Sequence, residues 1–148
     1  MKKIAITALA AIPLVILAIV IFWQPGTRYI DEGDFAVELY VRADDVIFHT
    51  ADAAANIGDS VFDVLLREMQ NAGIHMEFRN TPGLGSAYVA GIDNIYEFDA
   101  GSLSGWMYRV NGEFFNIGAS QHILQAGDVV EWLFTLDLGR DLGMDYGQ

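Results

Sequence analysis

Apolar and polar positions follow two rhythms from Asp34 onward. Phe35, Val37, Leu39 and Val41 alternate with Ala36, Glu38, Tyr40 and Arg42, the period of a half-buried strand. Val46-Ile47-Phe48 predicts a second, short strand or edge. The rhythm then changes: Val61, Phe62, Leu65, Leu66 and Met69 recur at helical spacing. Ser60 or Asp59 is placed to cap, Asp63 lies in the first turn, and Gly73 supplies the stop. Together they predict a helix over 60–72. Shorter apolar runs predict strands over 74–78, 88–92, 94–98, 106–110, 121–124 and 129–136, with a loop from Thr81 to Ser86. Asn111-Gly112 predicts a tight hairpin, because both central residues of a type I′ turn need positive φ. Ala126-Gly127-Asp128 predicts another turn.

Strands, one helix, then more strands define an α+β domain. A mixed sheet with one face on a single helix is the ubiquitin-like β-grasp arrangement. Its expected core sets Phe62, Leu65, Leu66 and Met69 against Val37, Leu39, Val110 and Leu133. The outer part of the 148-residue chain is long enough for one such core.

The N-terminus is different in kind. Met1-Lys2-Lys3 precedes an uncharged run from Ile4 to Trp23. As a helix, most of that run would span roughly 28 Å, close to a hydrocarbon core of about 30 Å. Two Lys before the run and none after it place the N-terminus in the cytoplasm and the rest of the chain outside. A cleaved signal peptide is the competing reading, but the run ends in the bulky Ile19-Val20-Ile21-Phe22-Trp23 instead of a small-x-small site. The expected division is a membrane anchor (or uncleaved signal segment) over 1–23, a linker over 24–33 containing Pro25 and Gly26, and a folded domain over 34–148. The absence of Cys excludes disulfides, thiol catalysis and a lipoprotein anchor.

Charge narrows the partners. Beyond Gln24 there are six Arg, no Lys and all 20 acidic residues, a formal charge of −14. Nucleic acid is disfavoured, since phosphate binding needs a basic face. The acidity fits solubility and spacing at a cell surface.

The sequence Gly58-Asp59-Ser60-Val61-Phe62-Asp63-Val64-Leu65 is followed by Val89-Ala90-Gly91-Ile92, Gly101 and Ser104-Gly105-Trp106-Met107-Tyr108. Val110-Asn111-Gly112, Gly118-Ala119, Gly127-Asp128, Glu131-Trp132 and Asp137-Leu138-Gly139-Arg140-Asp141 complete the series. Taken in order, these pieces resemble the transcobalamin-like C-terminal domain, a family of bacterial surface proteins. Its animal relatives form the smaller of two domains that clamp cobalamin. The resemblance implies a non-catalytic β-grasp binding module with cobalamin or another corrinoid as ligand. The helical barrel that forms the other half of the animal clamp is missing between Met1 and Asp34.

Ser104, Gly105, Trp106, Tyr108, Asn111, Gly112, Phe115 and Gly118 are the candidate ligand-binding residues. The Gly residues let backbone approach a ligand and the aromatics stack on it. Ile117 to Ala119 belongs to the same stretch. The alternative use of this aromatic edge is a protein-interaction or adhesion surface. The plainer reading is that Trp106 and Tyr108 pack the sheet. Asp137, Asp141 and Asp145, with Glu131, raise the question of calcium, but they lack an EF-hand pattern and read as a solvated tail. His49, His75 and His122 have no zinc-ligand spacing. No Ser lies in a nucleophile elbow. No catalytic or metal residue is expected.

Overall fold

The computed structural model describes residues 33–81 and 85–144. The expected membrane span, nearly all of the linker, part of the 81–86 loop and Asp145 lie outside these residues. Among the described residues no helix is long and apolar enough to cross a membrane.

Two sheets and one helix make up the domain. The strands are β1 (Phe35–Arg42), β2 (Val46–Ala55), β3 (Met76–Thr81), β4 (Ser86–Ile92), β5 (Ile95–Tyr96), β6 (Gly105–Val110), β7 (Glu113–Phe114) and β8 (Val129–Thr135). The helix α1 is Val61–Ala72, and a 3-10 turn follows β8 at Arg140–Leu142. Five strands form a mixed sheet in the order β2-β1-β8-β6-β7, and the other three form a sheet in the order β3-β4-β5. β1 and β8 run parallel, with Leu39 opposite Val130 and Val41 opposite Trp132. β6 runs antiparallel to β8, with Tyr108 opposite Trp132.

The ends of α1 form as its sequence dictates. The Ser60 Oγ accepts from the Asp63 N–H at 3.2 Å, and the Asp63 carboxylate accepts from the Ser60 N–H at 2.9 Å, a reciprocal capping box. Gly73 adopts φ 68° and the Ile74 N–H donates to the Met69 carbonyl at 2.9 Å, closing the C-terminus. Val61, Phe62, Val64, Leu65 and Met69 are buried. They share one core with Val37, Leu39, Val41, Trp106, Tyr108, Val110, Val130 and Trp132 of the large sheet and with Val89 and Ile92 of the small one.

Several expectations are corrected. Leu66 is only partly buried. Leu133 pairs with Met107 and Arg42, on the face opposite the helix. It is buried there because both faces of β8 are covered: the chain folds back so that Gly139 lies against the Met107 sulfur. Trp132 takes the core position instead. β2 is ten residues long, not the short strand expected at 46–48. It is an edge, and its pairing with β1 needs no apolar alternation over His49 to Asp52.

Residues 121–124 are not a strand; Ile123 makes one isolated bridge, to Ser60. The backbone here is spent on the helix. The His122 carbonyl accepts from the Val61 N–H at 3.0 Å and the Ala119 carbonyl from the Phe62 N–H at 3.2 Å, meeting donors that a helix start leaves free. Strand 94–98 shrinks to β5 because Phe98 turns at φ 70°.

Asn111 (φ 53°) and Gly112 (φ 82°) form the expected tight turn between β6 and β7. The Asn111 side chain accepts from the Val129 N–H and donates to Asp128, both at 2.9 Å, tying the turn to the start of β8. Gly112→Val is expected to lower stability by about 1 kcal/mol or more, since a β-branched residue resists positive φ. Chemical denaturation checks this; unchanged stability would mean that the turn does not depend on Gly112.

Candidate functional site

A cleft of about 540 Å³ opens between the two sheets, within the range typical of small-molecule sites. One wall is the start of β4: Ser86, Ala87, Tyr88 and Val89. The other is Trp106, Met107 and Tyr108 of β6, with Trp132 of β8. The segment from Phe115 to Gln121 closes the side.

Hydrogen bonds hold that segment to both walls. The Tyr108 hydroxyl donates to the Ile117 carbonyl at 2.9 Å, and the Ser120 hydroxyl accepts from the Ala87 N–H at 2.9 Å. A tight turn over 118–121 is closed by the Gln121 N–H on the Gly118 carbonyl at 2.8 Å. Gly118 lies so close to Ser86 that an added Cβ would come within 1.7 Å of the Ser86 Oγ.

Aromatic rings dominate the lining. Tyr108 and Trp132 lie 5.6 Å apart between centroids, and His122 stands edge-on to Phe115 at 4.3 Å. Trp106 donates its indole N–H to the Ile95 carbonyl at 2.9 Å, which locks the ring across β5 and β6. Burial pushes the Tyr108 phenol up to about 12, so its hydroxyl stays protonated as the donor to Ile117. None of the lining residues carries a formal charge. Arg79, on β3, packs over the Tyr88 ring at 5.2 Å and pairs with Glu97, which also accepts from the Tyr88 hydroxyl.

Of the eight residues singled out by sequence, Trp106, Tyr108, Phe115 and Gly118 line this cleft. Ile117 and Ala119 join them. Ser104, Gly105, Asn111 and Gly112 do not line it. Ser104 is buried, accepting from the Ala100 N–H at 3.1 Å and donating to the Gly101 carbonyl at 2.9 Å. Gly105 begins β6 beside Glu97 and Tyr88. Asn111 and Gly112 serve the turn described above. Ser86, Ala87, Tyr88, Val89, Met107, Asn116, Gln121 and Trp132 also line the cleft, and the sequence does not single them out as ligand-binding residues. The period-two placement of Trp132 between Val130 and Phe134 was a usable signal for its facing Tyr108; nothing in the sequence pairs β4 with β6.

The acidic positions have structural work. Burial acts to raise the Asp141 carboxyl, but hydrogen bonds from Leu136, Thr135 and Asp137 outweigh it, so its pKa lies below the ordinary range. Burial likewise acts to raise the Asp59 carboxyl, but hydrogen bonds from Asn56 and the Arg67 guanidinium outweigh it, so its pKa too lies below the ordinary range. Asp137 pairs with Arg140 at 3.0 Å. Among the described residues no three His, Asp or Glu side chains gather in a metal-binding group.

The family model described as "Domain of unknown function (DUF4430)" matches residues 58–135, more than half of the chain. Among solved structures, haptocorrin in complex with Cbi is similar with a TM-score of 0.60 and 16% identity. That similarity covers 68% of this chain and 25% of the haptocorrin chain, so this chain corresponds to about a quarter of that protein. At this identity the likeness is one of fold. A protein from Ruminococcus gnavus ATCC 29149 with a proposed metal-binding role is 19% identical, with a TM-score of 0.49 over 69% of this chain and 97% of that one. No curated protein matches the sequence.

Proposed function

This chain belongs to the DUF4430 family, and on that premise we propose that it is a non-catalytic, β-grasp binding module of the cell surface that captures a flat ligand. A corrinoid such as cobalamin is the leading candidate. The observation that carries the reading is the uncharged aromatic cleft between the sheets. Haptocorrin, of similar fold, is described in complex with Cbi. Because the chain spans about a quarter of haptocorrin, the remaining cover over such a ligand would come from another surface. Affinity for the domain alone should then be weak, about micromolar or poorer.

Titration of the full-length protein with cobalamin and cobinamide tests this, read by Trp fluorescence corrected for ligand absorbance. A saturable change is expected. None up to millimolar ligand, together with tight binding to a surface protein, would replace ligand capture with an interaction module. One feature favours that second reading. Phe98 and Leu138 are exposed large apolar residues held at positive φ, and such strain gathers at functional sites.

The uncharged run at 4–23 carries the proposal of a single-pass anchor with the domain outside the cytoplasm. The protein should fractionate with membranes and keep its N-terminal residues. A soluble form beginning near Gln24 would establish a cleaved signal peptide instead.

A further inference from the structure

Among the described residues, the non-Gly positions with positive φ are Asp93, Asn94, Phe98, Asn111 and Leu138. Asp and Asn have short side chains that tolerate this backbone. Phe98 at φ 70° and Leu138 at φ 51° are large and apolar. Burial does not account for them, since Phe98 is 61% and Leu138 45% exposed. Each suits its turn poorly and gains little from the core, which points to a contact made outside the fold.

Both lie at the same end of the large sheet. The Leu138 N–H donates to the Leu103 carbonyl at 3.0 Å, and the Phe98 N–H to the Ser104 carbonyl at 3.1 Å. These bonds join the turn before β6 to the turn after β8. They bring Leu103 and Leu136, also exposed, to the same place. The support is stiff. The Ser104 hydroxyl ties the first turn through Ala100 and Gly101. The Asp141 carboxylate ties the second, accepting from the Leu136 and Asp137 N–H groups and the Thr135 hydroxyl. Exposed apolar residues gathered together and rimmed by polar ones mark an interaction surface. None of the four lines the cleft.

Charge decides the occupant. Asp99 follows Phe98, Asp137 separates Leu136 from Leu138, and Asp141 lies just beyond. Arg140 is the neighbouring cation, and it pairs with Asp137. The rim is therefore net negative, as the domain is. A second copy would bring like charge to like charge, and an anionic lipid surface would do the same. β1 and β8 run parallel, so the chain enters at the end of the sheet where β8 begins, and Leu136 lies at the end where β8 stops. With the anchor proposed above, the surface is at the end farther from the membrane.

We propose that this end of the domain, built on Phe98, Leu103, Leu136 and Leu138, docks a protein partner whose apolar contact is ringed by Lys and Arg. This deepens the interaction reading given above and rests on it; ligand capture in the cleft is compatible with it.

The test pans a phage library of random dodecapeptides on full-length protein held in phosphatidylcholine nanodiscs. Enriched sequences should combine Leu, Ile, Phe or Trp with Lys or Arg. Made as free peptides, they should bind the parent about tenfold tighter, or more, than the double variant Phe98→Asn/Leu138→Asn. Their affinity should fall about fivefold or more between about 0.05 and 0.5 M salt. Asn suits the left-handed backbone, so the Asn variant should melt at or above the parent's temperature, which separates lost docking from lost fold. Leu103→Ser/Leu136→Ser should give the same loss of binding by a second route.

Enrichment of acidic or uncharged sequences overturns the proposal. So does displacement of the peptides by cobinamide, which would place them in the cleft. An Asn variant that melts well below the parent shows that Phe98 and Leu138 serve the fold, and overturns it too. Self-association of the parent that the Asn variant loses, read by sedimentation velocity, would put a second copy on this surface instead. Peptides that bind the parent and both double variants alike leave an interaction module standing and move its surface elsewhere. No enrichment at all removes both.

Discussion

Leu65→Asp is expected to abolish the cooperative unfolding transition of the domain. Leu65 is fully buried in the core shared by α1 and both sheets. A carboxylate there would lose its water with no cation in that apolar cluster. The effective penalty for a buried, unpaired ion is several kcal/mol, against a total stability of about 5–15 kcal/mol for an ordinary domain. Leu65→Ala separates charge from packing. It removes only apolar volume, costs about 2–5 kcal/mol, and should leave a folded domain with a lower melting temperature. Circular dichroism melts of the two variants distinguish these outcomes. If Leu65→Asp melts at the parent's temperature, the helix does not seat Leu65 in the core.

The residues that made the helix legible are those whose effects are local. Ser60, Asp63 and Gly73 act within a few residues of themselves, so their roles can be read from spacing alone. Asn111-Gly112 is similar, because positive φ is a property of the residue. The neighbouring hairpin at Asp93-Asn94, with φ 52° and 62°, passed unnoticed because no Gly marks it.

What failed was tertiary. The segment 121–124 has the look of a strand, yet its backbone is claimed by the start of α1, a partner about sixty residues away in sequence. Leu133 read as the core residue of β8 because the strand is apolar on both sides; only the fold-back at Gly139 explains why the back face is covered. The cleft was half legible for the same reason. Trp106, Tyr108, Phe115 and Gly118 lie on one short stretch of chain, whereas Ser86 and Tyr88 arrive from the other sheet. Asn111 and Ser104 looked like site residues because polar groups beside glycines serve turns and ligands alike.

Gly118→Ala is expected to disturb the cleft more than any other single-methyl change. The added Cβ would lie 1.7 Å from the Ser86 Oγ and 2.4 Å from the Ser86 Cβ. Rotating the hydroxyl away relieves the first contact but not the second, so backbone must move. β4 resists, because the Ala87 N–H is bonded to the Ser120 hydroxyl. The 118–121 turn resists, because the Gln121 N–H holds the Gly118 carbonyl. Overpacking of this kind costs about 1–3 kcal/mol, and its relief would push the Phe115–Gln121 wall off β4, lowering ligand affinity at least tenfold. Ser86→Gly removes both clashing atoms. Alone it should cost about 0.5–1 kcal/mol, the usual penalty for Gly in a strand. Combined with Gly118→Ala it should restore most of the lost stability and affinity, giving a coupling of about 0.5–3 kcal/mol in a double-mutant cycle. Thermal unfolding and ligand titration of all four proteins measure that coupling. Strict additivity would show that Gly118 and Ser86 are not in contact, and that the cleft has no closed side at this point.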